Sequence, residues 1–494
     1  MERVADVCII GEGSYPYYAG GVAQWVHELI TAQKDLTFHV ISLVPPHPIL
    51  KFYYKFPKNV ISHSYHIVQD FPQGSSSFRS SDPLWEILHS TLVGLVSSPA
   101  FEDFGPIVDL FQKHRNILGQ HILCKSFETW NLFLRIYQDT APSTPFKSYF
   151  ATMYTLSRSL YSILLTDLPK AKIYHALCTG YAGFFLYRAK RELGIPCIVT
   201  EQGIYSNERR IEIVMANWIA VLSSLDLALE EKKRTLKDFW LNAFFSLAHA
   251  CYISCDEIIS TFDGNHAIQI EGGADPSKIS TIVHGIDFND YAAVRIERKK
   301  VRCVAFVGRI VPIKDVKTFI RACKLVKDSC PDIQLFAVGS TDEDHDYYLE
   351  CQELANNLGL AEDLKFLGHV NFKEFLTKMD LLVLTSISEA QPLVILEAGA
   401  AGVPSIATDV GGCRQLLYGG VDEVPSLGQG GIVTPLRDPK ATAEAIIKMI
   451  SEPEFYQQCG ITMAKRIQQH YVFKDEQETY RKIYNKYLMK STGA

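Results

Sequence analysis

The chain has 494 residues, of which 47% are hydrophobic and 21% charged, and its formal net charge is -6. Single hydrophobic cores stop growing at roughly 250 to 300 residues, so this length excludes a one-domain protein. The composition excludes a mainly disordered chain, and the acidic balance argues against nucleic-acid binding, which selects for a basic face.

The beginning of the chain predicts a cytoplasmic protein. Residues 1–6 lead directly into an apolar strand pattern, without the basic start, apolar stretch and cleavage site of a signal peptide. The longest apolar candidate, residues 211–229, is interrupted by polar side chains and cannot span about 30 Å of hydrocarbon. The twelve cysteines show no C-x-x-C spacing and are expected to be reduced thiols in the core.

The first half of the chain predicts a Rossmann-like α/β domain over residues 1–287. Residues 7–11 form a short apolar strand, a loop with Gly20 and Gly21 follows, and helical spacing then runs from Val22 to Ile30. Further parallel strands are predicted at residues 38–44, 173–176, 197–200, 257–261 and 280–283. The stretch from about 71 to 170, rich in aromatic and helix-period segments, is predicted as a helical insertion.

The second half predicts another doubly wound domain, over residues 288–470. A charged link at residues 297–302 precedes a new alternation of strands and helices. Strands are predicted at 303–307, 333–338, 364–367, 381–385 and 405–408, and helices at 315–326 and 392–401. Residues 471–494 are predicted to contain a helix that returns to the first domain, and two such domains in series predict a ligand cleft between them.

The run from Gly308 to Lys314 lies between a predicted strand and a predicted helix. Its glycine lets the backbone approach a ligand, Arg309 can give two parallel hydrogen bonds to phosphate oxygens, and Lys314 adds a charge near a helix start. On spacing alone, two solvated surface cations are an equally good interpretation. The position at the carboxyl ends of parallel strands favours a diphosphate site.

Two glutamates, Glu389 and Glu397, lie eight positions apart around a predicted helix start. Glu389 falls in the loop before the helix, and Glu397 falls on the helix, where it is predicted to hold ribose hydroxyls. The alternative for Glu397 is an ordinary surface helix residue. The unsatisfied N–H groups of the first turn are predicted to bind the diphosphate. The substrate-binding residues predicted there are Gln391, Pro392, Leu393 and Val394.

These residues resemble glycosyltransferase family 4, whose E-x7-E signature is matched by Glu389 and Glu397. Further matching stretches are residues 12–17, 20–22, 200–205, 307–309 and 339–344, and they extend the resemblance over nearly the whole chain. Within the family, the sequence is similar to transferases of Pel-type exopolysaccharide biosynthesis. The resemblance implies a GT-B fold, in which two Rossmann-like domains face a cleft. It also implies retaining transfer of a hexose from a UDP-sugar, with UDP-glucose favoured, to a growing polysaccharide.

The resemblance also implies roles for individual residues. Arg309 and Lys314 match the cations on the donor diphosphate, Glu397 matches the carboxylate on the ribose, and Glu389 matches the glutamate that contacts the donor sugar. Gly20 and Gly21 match the glycine loop near the donor phosphates and the acceptor, and His175 matches a histidine placed against the transferred sugar. The catalytic residues expected on this basis are His175, Glu389, Arg309 and Lys314.

The sequence departs from the family pattern at two positions. Gln202 stands where related sequences usually carry histidine, and His284 stands where they usually carry asparagine. Because an amide cannot titrate, an acid or base role at Gln202 is in doubt.

Residues 342–346 form an acidic run that could also be interpreted as a metal site. Consecutive side chains point in different directions, and GT-B enzymes do not need a metal at the diphosphate, so neither a metal nor another cofactor is expected. The expected partners are a UDP-sugar donor, a saccharide or polysaccharide acceptor and an inner-membrane synthase complex, which would make the protein peripheral to that membrane. An inactive nucleotide-sugar-binding scaffold, an epimerase and a phosphorylase remain open as alternatives.

Overall fold

The structure is a computed structural model that describes residues 4–18, 20–48, 50–78, 82–215, 235–294, 299–420 and 423–492. The chain divides into two compact units, the first formed by Met1–Thr281 with Tyr480–Ala494 and the second by Ile282–Thr479. Each unit is built on its own parallel β-sheet. Most of the apolar segment predicted at 211–229, and the first part of the charged link at 297–302, lie outside the described residues.

The first unit contains a seven-stranded sheet with the order β3-β2-β1-β4-β5-β6-β7. Its strands are β1 Ala5–Glu12, β2 Phe38–Val44, β3 Val60–Ile67, β4 Ala171–Ala176, β5 Cys197–Glu201, β6 Glu257–Ser260 and β7 Ile279–Thr281. Strand β2 is buried along its whole length, as expected for an interior parallel strand with helices on both faces. The sequence predicted every strand except β3, which lies at the edge and is only partly buried.

Helices cover this sheet and form the predicted insertion between β3 and β4. The helices of the first unit are α1 Gly21–Ala32, α2 Leu84–Ser97, α3 Gly105–Lys113, α4 Gln120–Lys125, α5 Phe127–Thr140, α6 Phe146–Leu165, α7 Tyr181–Leu193, α8 Tyr205–Met215, α9 Leu236–Ser254 and α10 His266–Glu271. Within the insertion, α2 packs against α5, and α2 also packs against α9 outside it. The insertion therefore shares the hydrophobic core of the first unit instead of forming a core of its own.

The second unit contains a six-stranded sheet with the order β10-β9-β8-β11-β12-β13. Its strands are β8 Cys303–Val307, β9 Gln334–Val338, β10 Leu364–Gly368, β11 Leu381–Leu384, β12 Ser405–Thr408 and β13 Gly431–Thr434. Its helices are α11 Phe288–Ala292, α12 Val316–Ser329, α13 His345–Asn357, α14 Phe372–Phe375, α15 Leu393–Ala400, α16 Cys413–Tyr418, α17 Pro439–Ser451 and α18 Pro453–His470, followed by α19 Phe473–Thr492. All strand pairs of this sheet are parallel, so the loops after the strands leave from one edge.

The last helix completes the interior of the first unit, to which its residues from Tyr480 onward belong. On β4, His175 is fully buried, and its Nδ1 lies 2.7 Å from the Tyr484 hydroxyl while its Nε2 lies 2.8 Å from Thr200 Oγ1. The ring of Tyr480 stacks on the imidazole with centroids 6.0 Å apart. Burial lowers the pKa of His175 to about 3.

This environment argues against the catalytic role predicted for His175. Both ring nitrogens already have partners inside the first unit, and the side chain has no exposed surface with which to meet a sugar. The imidazole is therefore a neutral, structural group that binds the last helix to strand β4.

All twelve cysteines have free thiols, as expected, and nine of them are buried. Among the described residues, no helix combines the length and the apolar character that crossing a bilayer requires.

The buried, neutral His175 predicts a specific pH dependence of stability. In the unfolded chain this side chain binds a proton below its ordinary pKa of 6.5, whereas in the folded chain it stays neutral down to about pH 3. Its contribution is therefore fully present above pH 6.5 and is lost as the pH falls. Between pH 7.5 and 5.0, the His175→Gln variant should lose about 2 kcal/mol less unfolding free energy than the unsubstituted protein.

Urea unfolding of the two proteins at both pH values, followed by circular dichroism, measures this difference. The matched control is His345→Gln, since His345 is exposed at the start of α13 and its substitution should leave the pH dependence unchanged. An equal loss of stability in the His175→Gln variant and in the unsubstituted protein would show that His175 is not held neutral.

Candidate functional site

The carboxyl ends of strands β8, β9 and β10 are held together by backbone hydrogen bonds. Gly308 N donates to Val338 O at 2.8 Å, and Gly339 N donates to Gly368 O at 2.9 Å. Gly339 has a φ of 149°, and a Cβ at this position would lie 1.9 Å from the carbonyl oxygen of Gly308. Only glycine fits this close approach, which fixes the loop that carries Arg309.

Arg309 lies on this edge and pairs with a carboxylate of the acidic run. Its Nη1 donates to both carboxylate oxygens of Glu343 at 2.6 Å, and both side chains are about half exposed. Exposed ion pairs contribute only about 0 to 1 kcal/mol, so an incoming anion could replace Glu343 at little cost.

Lys314 and Glu389, for which the sequence predicts separate roles, lie side by side. Lys314 Nζ donates to Glu389 Oε1 at 2.5 Å, and Ser386 Oγ donates to the same oxygen at 2.6 Å. The Lys314 side chain is only 19% exposed and that of Glu389 only 11%. The two residues are 75 positions apart, and no periodicity in the sequence indicates their pairing.

The backbone around this ion pair is also fixed. Lys314 ends a 3₁₀ turn, Pro312–Lys314, and Ile387 N donates to Ile313 O at 2.8 Å, which fastens the loop after β11 to that turn. Gly411 has a φ of 50°, and a Cβ there would lie 2.1 Å from the carbonyl oxygen of Glu389. The loop that carries Glu389 is therefore held from both sides.

Helix α15 begins directly after this loop. Pro392 occupies its N-cap, so the helix starts one residue later than predicted, at Leu393. The N-cap gives no side-chain hydrogen bond, and the first turn, which includes Val394, contains no acidic residue. An anion at this helix start would meet backbone N–H groups without competition from a capping carboxylate.

Gln391 was predicted to bind substrate, but its amide is engaged elsewhere in the second unit. Its Oε1 accepts from His284 N at 2.8 Å, and its Nε2 donates to His284 O at 3.1 Å. Glu476 contacts the same segment, since its carboxylate oxygens lie 3.1 Å from His284 Nδ1 and 3.0 Å from Gly285 N. Gln391 therefore fixes the chain at the beginning of the second unit.

Glu397 lies within α15 and is partly buried. Its Oε1 accepts a hydrogen bond from the Tyr291 hydroxyl at 2.7 Å, and Tyr291 lies on the short helix α11. A carboxylate has about four acceptor sites, so a ribose hydroxyl could bind Glu397 together with Tyr291.

The carboxylates of the acidic run at residues 342–346 have separate partners. Glu343 pairs with Arg309, Asp344 caps α13 by accepting from Tyr347 N at 2.9 Å, and Asp342 lies 3.4 Å from Ser340 Oγ. Across the described ranges, no three histidine, cysteine, aspartate or glutamate side chains are grouped so that they could hold an ion.

The predicted glycine loop of the first unit lies at the start of α1. Gly20 is the N-cap of this helix, and both Gly20 and Gly21 are exposed. A Cβ at Gly20 would meet no atom within 4 Å, so packing within the chain does not require glycine there. The helix start has no side-chain cap and no acid in its first turn, which leaves it favourable to an anion.

A buried carboxylate at the end of β5 was missed as a functional candidate. Glu201 is fully buried and accepts hydrogen bonds from Thr179 Oγ1 at 2.9 Å, Tyr252 OH at 2.5 Å and Gln269 Nε2 at 3.0 Å. Burial raises its pKa above the ordinary value, although these hydrogen bonds oppose the shift. The sequence feature that could have identified this site is a glutamate at the end of an otherwise mainly apolar strand.

Glu12, at the end of β1, is a second carboxylate that accepts several hydrogen bonds at this sheet edge. Its carboxylate accepts from the Tyr205 hydroxyl, from Ala182 N at 3.3 Å and from Cys178 Sγ at 3.5 Å. Near Glu201, the Nε2 of Gln202 is buried and makes no hydrogen bond within the described residues. The carboxyl edge of the first sheet thus has a polar cluster of its own.

Comparisons with known families cover both units. Residues 5–277 match the family model described as a domain of unknown function, DUF3492, and residues 287–466 match the model described as glycosyl transferases group 1. The residues of the second unit that are predicted to bind the donor diphosphate and ribose lie within the second match.

Curated relatives match only part of the chain. A D-inositol 3-phosphate glycosyltransferase of Mycobacteroides abscessus is 32% identical over 167 residues, which are 31% of this chain and 37% of the relative. The lipopolysaccharide core biosynthesis mannosyltransferase LpsB of Rhizobium meliloti is 29% identical over 177 residues, which are 34% of this chain and 49% of the relative. The chain therefore spans less than half the length of either relative.

Solved structures match nearly the whole chain. HepE of Anabaena, solved in complex with UDP and glucose, has a TM-score of 0.58 and 14% identity and covers 97% of this chain and 99% of its own. A sucrose-phosphate synthase of Thermosynechococcus elongatus has a TM-score of 0.58 and 17% identity and covers 98% of both chains. At these identities the likeness shows the fold, and it confirms two Rossmann-like units of the GT-B class. Since the DUF3492 match spans more than half of the 494 residues, the chain belongs to the DUF3492 family, and its second unit carries a glycosyl transferases group 1 domain.

Proposed function

We propose that this protein is a retaining glycosyltransferase that transfers a hexose from a UDP-sugar to a growing polysaccharide. The observation that carries the proposal is the largely buried ion pair of Lys314 and Glu389 at the sheet edge of a glycosyl transferases group 1 domain. A cation fixed at this edge, and paired with Glu389 of the loop that leads to the uncapped start of α15, is suited to a diphosphate.

Lys314 would act mainly on the leaving group. As the bond from the sugar to the diphosphate breaks, negative charge grows on the diphosphate, and a cation already in place stabilises that charge more than the ground state. The ammonium has three N–H donors, so it can serve a phosphate oxygen while it keeps its hydrogen bond to Glu389. Glu389 would then position Lys314 and contact the donor sugar from the same place.

Arg309 and the start of α15 would complete the diphosphate site. The ion pair of Arg309 with Glu343 is exposed, so exchange of Glu343 for a phosphate oxygen costs little. The N–H groups near Leu393 and Val394 add donors of fixed orientation. We assign no donor contact to His175 or Gln391, because both side chains are engaged within their own units.

The donor and the product are inferred from proteins that this chain resembles. HepE was solved with UDP and glucose, which supports a UDP-sugar donor for a chain of the same fold. The resemblance to the PelF group of family 4 favours UDP-glucose, retention of configuration and a Pel-type exopolysaccharide as the product. In this proposal the acceptor is a saccharide that meets the first unit, near Gly20 and Gly21, and an inner-membrane synthase complex receives the polymer.

The lysine assignment predicts a large loss of turnover in the Lys314→Gln variant. With UDP-glucose as donor, the rate should fall about 100- to 1,000-fold, since one charged donor to the transition state is removed. The rate of UDP release, with a saccharide acceptor or with water, measures the effect. Thermal unfolding of the same sample shows whether the variant is folded.

The matched control for this experiment is Lys317→Gln. Lys317 also pairs with a carboxylate, Glu350, at 2.6 Å, but lies within α12 and outside the proposed site. It should keep its turnover, and a folded Lys314→Gln variant that does the same would contradict the proposal. If the unsubstituted protein binds UDP but transfers no sugar from any nucleotide sugar, the scaffold alternative gains support.

The ribose assignment predicts weaker nucleotide binding in the Glu397→Gln variant. Hydrogen bonds to a charged group contribute about 1.5 to 3 kcal/mol, so the affinity for UDP should fall about tenfold or more. Isothermal titration calorimetry with UDP and with 2′-deoxy-UDP separates the ribose contact from a general loss. The substitution should matter much less for the deoxy ligand.

Tyr291→Phe is the control that leaves the carboxylate in place. It removes the hydroxyl that donates to Glu397 Oε1 and should not weaken UDP binding. If Glu397→Gln binds UDP as tightly as the unsubstituted protein, the ribose role of Glu397 is wrong.

A further inference from the structure

One stretch of the first unit has a charge opposite to that of the whole protein. Residues 36–69 contain three lysines, four histidines and no acidic residue, although the formal net charge of the chain is -6. The three lysines fall within eight residues, in the run Lys51-Phe52-Tyr53-Tyr54-Lys55-Phe56-Pro57-Lys58. Basic and aromatic side chains are thus interleaved in a short segment between β2 and β3.

The structure exposes both kinds of side chain. Phe52 is 53% exposed, Tyr53 is 56% exposed, and Tyr65 on β3 is 50% exposed. The three lysines are exposed as well. Large rings at this level of exposure lack the burial that normally stabilises them, so a cluster of them marks an interaction surface. The aromatic–lysine patch consists of Lys51, Phe52, Tyr53, Lys55, Lys58 and Tyr65.

The exposed rings share one region of the surface. Buried Tyr17 lies with its ring centroid 5.0 Å from that of Phe52 and 6.4 Å from that of Tyr65. The ring of Phe52 also lies 5.9 Å from that of His63, and Tyr53 N donates to Pro16 O at 3.0 Å. Because these contacts fix the segment in place, its rings lose little further conformational freedom when they bind a partner.

The chemistry of the patch matches the surface of an anionic bilayer. Tyrosine and phenylalanine rings settle at the boundary between headgroups and acyl chains, and exposed lysines in the same segment attract anionic lipid. Glu28 acts electrostatically on neighbouring Tyr54, but one carboxylate does not reverse the charge of three lysines. A neutral saccharide would use the rings and give the lysines no counter-charge, which makes it a poorer match.

We infer that this protein docks on anionic lipid bilayers through the aromatic–lysine patch. The lysines supply the electrostatic attraction, and the rings enter the interfacial layer without any segment crossing the bilayer. Since the rest of the surface carries the net negative charge, attraction at the patch and repulsion elsewhere give the protein one orientation on the membrane. This docking does not rest on the proposed transferase function.

Co-sedimentation of the full chain with large vesicles tests the inference. One set of vesicles contains phosphatidylcholine alone, and the other contains phosphatidylcholine with 30% phosphatidylglycerol. At low salt the protein should bind the anionic vesicles only, and about 0.5 M NaCl should release it. Replacing Lys51, Lys55 and Lys58 together by Gln should lower the binding constant about 100-fold. The double variant Tyr53→Ala, Tyr65→Ala should lower it about tenfold.

Matched controls separate the patch from general effects of charge and aromatic surface. Replacing Lys125, Lys147 and Lys170 by Gln removes the same charge from exposed positions of the first unit, and Phe127→Ala removes a ring that is 73% exposed. Both controls should bind anionic vesicles as the unsubstituted protein does. Circular dichroism verifies that every variant is folded.

Four outcomes would overturn the inference. These are the absence of vesicle binding at low salt, equal binding to neutral vesicles, an equal loss in the control variants, and undiminished binding by the folded patch variants. If the patch variants instead lose turnover with a soluble saccharide acceptor while no vesicles are bound, the patch is a glycan site. Vesicle binding needs no catalysis, so its failure is distinguishable from a failure of the proposed transferase function.

Discussion

Lys314 and Glu389 lie in loops that leave neighbouring strands of the second sheet, β8 and β11, and their ion pair joins those loops. Because both side chains are largely hidden from water, separating them would leave a poorly hydrated charge, which is costly. The carboxylate therefore limits where the ammonium can go, while it also weakens the attraction of the ammonium for an anion. Such an arrangement favours accurate placement of the cation over maximal affinity for the anion. The ion pair also fixes where α15 begins, because the loop that carries Glu389 leads directly into that helix.

The sequence predicted the parts of the fold that buried apolar runs specify. Strands such as β2, β8 and β12 were placed at their observed bounds, because continuous apolar runs between turn residues are typical of interior parallel strands. Strand β3 was missed because polar residues interrupt it at the sheet edge, and β13, at the edge of the second sheet, was missed because it begins with glycine. Polar residues and glycine weaken the apolar signal of these two strands.

The site was predicted less completely, since side-chain pairing across long separations leaves no trace in local patterns. The contact of Gln391 with His284 joins residues 107 positions apart, and that of His175 with Tyr484 joins residues 309 positions apart. Residue type and position at a strand end identified Arg309, Lys314 and the two glutamates as candidates. Which of them contact each other, and which polar groups are used up in the interior, depends on the packed fold.

The contact between His175 and Tyr484 bears on how the protein can be made. Strand β4 is translated early, whereas its hydroxyl partner emerges only after the complete second unit has been synthesised. Domains generally fold as units during translation, beginning at the N-terminus. Until the last helix has been synthesised, the His175 imidazole of the nascent first unit lacks its hydrogen-bond partner Tyr484. The native packing of the first unit can be completed only after the last helix has left the ribosome.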